Sequence, residues 1–200
     1  MVAHATVSGL MSGAPPRGIR HAIARAREGD ASARNALARE HLSEIGRFVA
    51  CHLGDPQEVE DVVQETFLLA FGQLDRLREP EKFRFWLKGI ALMRVRQLIR
   101  KRKMRRLLGF DSKEDMASLL AVADPGLPAD QRAELARLDE VLCTLPSEQR
   151  IAWSLRYVEG HKLVEAAEIA GCSLATIKRR ITAADARVRA KVDIEEGIDG

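Results

Sequence analysis

Aromatic side chains are scarce in this chain: six Phe, two Trp and a single Tyr among 200 residues. Strand-rich folds lean on aromatic and β-branched residues, whereas Ala, Leu and Arg dominate here and favour helices. Cysteine is scarcer still. Cys51, Cys143 and Cys172 are odd in number, far apart and without zinc-ligand spacing, which fits a reducing compartment. The five histidines form no metal pattern either. Cys51 and His52 are adjacent, and neighbours on a helix point about 100° apart. No segment approaches the roughly 18 apolar residues of a membrane span. The opening "MVAHATVSGLMSGAPPRG" lacks the basic n-region and long apolar core of a signal peptide. A disordered tail over residues 1–17, a cytoplasmic location and no membrane insertion are therefore expected. There is no nucleophile motif, metal-ligand set, phosphate loop or pair of catalytic acids. No enzymatic activity, cofactor, metal or small-molecule substrate is expected.

Helical punctuation runs through the rest. Ile19 to Glu28 predicts a short helix stopped at Gly29, and Asp30 can cap the next, to about Leu53. In "DPQE", Asp55 is a good N-cap, Pro56 takes the first helical position and Glu58 completes a capping-box pattern. The helix that follows carries an apolar stripe of Val59, Val63, Phe67, Ala70 and Phe71. Its other side presents Asp61, Gln64 and Glu65, and then Leu68, an apolar residue set among acids. The like-charge pair Asp61 and Glu65 costs an isolated helix about 0.2–0.5 kcal/mol, and no partner for either acid is apparent nearby in the sequence.

One absence is sharper than the others. From Lys82 to Arg106 there are 11 Lys or Arg and no acid. On a helical wheel Phe83, Leu87, Ile90, Ala91 and Leu98 make the core stripe, and Phe85, Lys88, Leu92, Arg96 and Lys103 fall opposite. Cations with an aromatic among them suit nucleic acid, because they neutralise phosphate while a ring stacks on an unpaired base. Pro125, Gly126 and Pro128 then break the acidic stretch "GFDSKEDMASLLAVADPGLP", the expected linker. A second helical group starts near Ala129, and Pro146 opens a helix that ends before Gly160. In "LVEAAEIAGCSLATIKRRITAADARV", Ala167 lets two helices cross closely and Gly171 permits the turn. Ser173 caps a second helix with an apolar stripe of Leu174, Ile177, Ile181 and Val188. This is helix-turn-helix spacing, and it presents Thr176, Lys178, Arg179 and Arg180 where a recognition helix meets the major groove.

Together these segments resemble a bacterial RNA polymerase sigma factor of the extracytoplasmic-function (ECF) type. "AIARAREGD", "GDPQEVEDVVQETFLLAF" and "FRFWLKGIALMRVRQLIRKRK" look like the family's region two, in order. "LPSEQRIAWSLRYVEGHKLVEAAEIAGCSLATIKRRI" looks like region four. The resemblance implies an all-α chain of two small helical domains, a helical bundle and a helix-turn-helix domain, on a flexible linker. The implied boundaries are 18–106 for region two, 107–128 for the linker, 129–192 for region four and 193–200 for an acidic tail. Asp61, Gln64, Glu65 and Leu68 would dock on core RNA polymerase. Phe83, Arg84, Phe85, Lys88, Arg96, Arg100 and Lys103 would meet the −10 element, near a loop at about Asp75 to Lys82 that holds a flipped base. Ser173, Thr176, Lys178, Arg179 and Arg180 would meet the −35 element of promoter DNA. Trp86 matches a family tryptophan and is expected in the core.

The family also implies an anti-sigma factor as a partner. Its pattern often has Asn at Met93 and Asp at Gln97, and Arg at Ala183 and Asp185, so promoter preference and DNA affinity are open. The alternative is a helix-turn-helix regulator, or a sigma-like decoy, that forms no active holoenzyme.

Overall fold

The computed structural model describes residues 18–109, 123 and 126–196. The expected N-terminal tail, nearly all of the linker and the last four residues lie outside the described residues. Eight α-helices are present among them and no strand. They divide into two compact units, each with its own core.

The first unit is built from α1 (Ile19–Arg27), α2 (Ala31–Ala50), α3 (Pro56–Gly72) and α4 (Phe83–Leu107). Helix α2 packs against α1, α3 and α4, and α3 and α4 pack on each other. The starts follow the predicted caps. Asp30 Oδ1 accepts from the Ser32 and Ala33 amides at 2.8 and 3.1 Å, and Asp55 Oδ1 from Gln57 at 2.8 Å. Each such cap stabilises its helix by about 1 kcal/mol. Gly29, at φ 89°, ends α1 in a conformation that costs a side-chain-bearing residue energy. Helix α2 stops at Ala50, short of Leu53, which is buried in the turn that follows. Glu58 does not close a capping box; its carboxylate turns to Arg102 of α4.

Between α3 and α4 the chain makes two 3₁₀ turns, Leu74–Arg76 and Pro80–Lys82. Leu74 and Leu77 are buried, and the Arg27 guanidinium donates to both of their carbonyls. The loop assigned to the flipped base is thus anchored from beneath by α1, while Asp75, Arg76, Arg78 and Glu79 stay exposed.

The core of α4 is turned relative to the sequence expectation. Phe83, Leu87, Lys88, Ala91, Leu92 and Val95 are buried, whereas Ile90 and Leu98 are only partly covered. Lys88 and Leu92, placed on the outer side by the wheel, therefore lie inside. The Lys88 ammonium is fully enclosed, 2.9 Å from a Glu44 carboxylate oxygen and 5.6 Å from the centre of the Phe48 ring. Arg84 pairs with the same carboxylate, and His41 Nδ1 lies 3.8 Å from it. Burial pushes the Glu44 carboxyl up, but His41, Lys88 and Arg84 more than offset it and hold it well below the usual carboxylate range.

The second unit contains α5 (Ala129–Cys143), α6 (Ser147–Trp153), α7 (Leu163–Ala170) and α8 (Leu174–Glu196). Helices α5, α6 and α7 all pack on α8. Helix α6 runs into a single π-helical turn, Ser154–Val158, closed by the Glu159 amide on the Ser154 carbonyl at 2.9 Å.

Breaking a buried pair from one side strands the other charge. Glu44→Gln should destabilise the first unit by about 3 kcal/mol at neutral pH, and Lys88→Met by about 1 kcal/mol, because Arg84 still serves Glu44. A depressed carboxyl stabilises the fold above its ordinary value of 4.5 and loses that contribution as pH falls below it. Urea denaturation across pH should show the Glu44→Gln deficit shrinking in acid; a pH-independent deficit contradicts this account.

Candidate functional site

Helix α3 turns one face to its neighbours and one to solvent. Val62, Val63, Thr66, Phe67 and Ala70 are buried, while Val59 and Phe71, assigned to the core, are half-covered. Thr66 is tolerated inside because its hydroxyl donates to the Val62 carbonyl at 2.6 Å. On the outer face Asp61, Gln64, Glu65 and Leu68 are all exposed, and Leu68 is 74% exposed. They share one surface, as their spacing requires. Gln64 is steadied by donating to Glu60 at 3.1 Å.

The two acids differ in a way the sequence did not reveal. Asp61 has no ion-pair partner among the described residues, but Glu65 does. Arg94 of α4 donates to Glu65 Oε2 from Nε at 2.7 Å and also from Nη2. Its third nitrogen reaches Gln97 Oε1, so one guanidinium ties α3's outer face to α4. Nothing local in the sequence marks this pairing, because the partners are close only once the helices pack.

The seven residues assigned to the −10 element separate by exposure. Phe83 and Lys88 belong to the interior, Phe83 packing on the His41 ring at 5.3 Å. Arg84 is committed to Glu44. Arg100 and Lys103 are exposed, and Phe85 and Arg96 are partly so. Trp86 is partly covered, its ring centre 6.1 Å from that of Phe83. Met93 and Gln97, at the departures from the family pattern, are exposed on the same helix.

In the second unit α7 and α8 form the helix-turn-helix. Gly171 adopts the left-handed conformation, φ 62° and ψ 39°, that the turn demands. Ser173 Oγ accepts from the Thr176 amide at 3.1 Å and lies 2.9 Å from the Thr176 hydroxyl. Ile177, Ile181 and Ala184 are buried, and Ala167 is buried opposite them. Leu174 departs from the expected stripe: it is 41% exposed, and Val188 is only half-covered. Lys178 and Arg179 are exposed, but Arg180 is partly engaged, its Nη1 2.8 Å from Glu148 of α6.

Comparison with known proteins fits this geometry unit by unit. The family model for Sigma-70 region 2 matches residues 37–105, and that for Sigma-70, region 4 matches residues 135–187. The chain is 34% identical over 179 residues to RNA polymerase sigma factor CnrH of Cupriavidus metallidurans, covering 86% of this chain and 93% of that protein. The chain belongs to the ECF sigma factors. It is also 28% identical over 169 residues to ECF RNA polymerase sigma factor SigW of Bacillus subtilis, covering 82% of this chain and 90% of that protein. Among solved structures, CnrH in complex with the cytosolic domain of CnrY superposes with a TM-score of 0.63 at 27% identity, covering 89% of this chain and 99% of that one.

As a sigma factor the protein directs transcription initiation by RNA polymerase and binds promoter DNA through its helix-turn-helix. The sigma-70 family is not a family of catalytic enzymes. No helix among the described residues is long and apolar enough to cross a membrane.

Asp185, one of the departures in this sigma factor's recognition helix, has an internal role. Its Oδ2 accepts from the Tyr157 hydroxyl at 2.9 Å, pinning α8 to the π-helical turn. Burial first, and then the bond and charge of Asp185, push the Tyr157 hydroxyl above its ordinary value. Tyr157 is the chain's single tyrosine, so phenolate absorbance reads it alone. Asp185→Asn should lower its titration midpoint, since a neutral amide no longer opposes the phenolate; an unchanged midpoint rules out the contact in solution.

Proposed function

We propose that this sigma factor docks on core RNA polymerase through the outer face of α3, with Asp61, Gln64 and Glu65 around Leu68. The observation that carries this reading is Leu68, 74% exposed among acids on a helix whose opposite face is core. An exposed leucine ringed by charge gains stability only when a partner desolvates it, and the acids select a cationic partner. Glu65 would then exchange its bond with Arg94 for a cation on the polymerase. We assign residues 18–106 to polymerase and the −10 element and residues 129–192 to the −35 element, a reading that the presence of two compact units supports.

Among the −10 candidates, exposure favours Phe85, Arg96, Arg100 and Lys103 as the DNA-facing set. Phe83, Lys88 and Arg84 act from within, holding the helix that carries them. In the helix-turn-helix, Lys178 and Arg179 are the outward cations, while Ser173 and Thr176 spend their polar groups on the cap. We assign the protein to the cytoplasm, where core polymerase and promoter DNA are. An anti-sigma factor is its further proposed partner, supported by CnrH having been solved bound to the cytosolic domain of CnrY.

Asp61→Arg and Leu68→Asp should each weaken capture of core polymerase at least tenfold, because reversal at a desolvated contact costs several kcal/mol. Both sites are exposed, so folding stability should move by no more than about 0.5 kcal/mol. Wild-type retention of polymerase by both variants in a pull-down defeats the docking assignment.

The recognition helix sets a base-reading effect against a phosphate effect. A bidentate base contact carries about 1–3 kcal/mol of discrimination, lost only at its own base pair. A planar guanidinium suits that role better than an ammonium. Arg179→Ala should therefore relax preference at one −35 position, and Lys178→Ala should weaken all sequences alike and flatten the salt slope by about one unit. Holoenzyme binding to −35 variants across a salt series separates the two. Uniform weakening by Arg179→Ala overturns its base-reading role.

A further inference from the structure

The first residue of the recognition helix is an exposed leucine. Leu174 and Val164 are the exposed large apolar residues of the second unit among those described, at 41% and 65%. Both line one open groove, together with Leu163, Arg156, Lys162 and Lys178. None of the six is acidic. Leu174 and Lys178 stand four apart and so are neighbours on α8, with Leu174 at the exposed end of the stripe that continues into the buried Ile177 and Ile181.

The polar groups beside them are already engaged. Ser173 and Thr176 bond to each other and to the helix start, and Arg180 leans on Glu148. What remains to meet a ligand is an apolar tip flanked by cations. Lys178 and Lys162 have no ion-pair partner among the described residues, and Arg156 is held on one side by the His161 carbonyl at 3.1 Å.

We propose that Leu174 reads a thymine methyl group of the −35 element, with Lys178 and Lys162 on the flanking phosphates. The inference rests on the assignment of α8 to the −35 element and adds a base-selecting residue to it. A leucine side chain has no donor or acceptor, so it distinguishes bases only by apolar contact. In the major groove the thymine C5-methyl is the one apolar feature that varies between base pairs. An acidic protein segment would suit the cations equally, but Leu174 is the first residue of α8, where a recognition helix meets base edges. DNA satisfies both features at once.

Uracil tests this without altering the protein, since it lacks only that methyl group. Holoenzyme reconstituted with core polymerase would first select −35 sequences from a randomised duplex pool. Each thymine of the selected element, on either strand, would then be replaced singly by deoxyuridine. One replacement should weaken wild-type binding about fourfold, the worth of one buried methyl group. Holoenzyme carrying Leu174→Ala should bind the thymine and uracil forms equally. A selected element without thymine, no uracil effect at any position, or wild-type discrimination by Leu174→Ala each overturns the role of Leu174. Uniform weakening by Leu174→Ala would assign the groove to backbone or protein contact and overturns it too. Those results leave the parent assignment standing if Arg179→Ala still relaxes the selected sequence. A pool that yields no preferred −35 sequence removes the parent assignment itself.

Discussion

An ammonium group buried in a small helical core decides how the first unit presents itself. Lys88 is enclosed by α2 through Glu44 and the Phe48 ring, and desolvating it is tolerable only because the carboxylate and the aromatic face accept it together. With Lys88 inward, the rotation of α4 is fixed, and Leu92 and Val95 follow it into the core. The same rotation sends Arg100 and Lys103 outward and leaves Phe85 and Arg96 at the margin. The cationic surface of α4 is thus tied to one interior charge.

The sequence was most legible where chemistry is local. Asp30, Asp55, Gly171 and Ser173 act within three residues of themselves, and each does what its type predicts. The outer face of α3 was equally plain, because acids and a leucine break its polarity pattern. Legibility failed where the deciding partner is distant. A run of cations contains no mark for the one that will be buried, since Glu44 lies on another helix. Arg94 is unmarked for the same reason: its carboxylate belongs to α3. Leu174 misled differently. Its hydrophobicity suggested core, yet the cap places it one step before the first buried position of α8, and only the packed structure shows the offset.

The second unit handles its charge by internal commitment. Arg180 is drawn to Glu148 of α6, and Asp185 holds Tyr157. Asp185, where the family pattern is expected to have Arg, accepts from Tyr157 in a bond that seats α8 on the π-helical turn. Rigid seating limits the orientational freedom lost on DNA binding. Lys178 and Arg179 remain exposed near the start of α8, and Arg187 and Arg189 further along it.

The two tryptophans are divided between the units. Trp86 lies against Phe83 in the first, and Trp153 lies 5.1 Å from the ring of Tyr157 in the second. Each unit thus carries one indole fluorophore, and the sole phenol belongs to the second. Light absorbed by Tyr157 passes to Trp153 over that short separation, whereas Trp86 has no tyrosine in its own unit. Tyrosine-sensitised indole emission therefore reports on the packing of Trp153 against Tyr157 within the second unit.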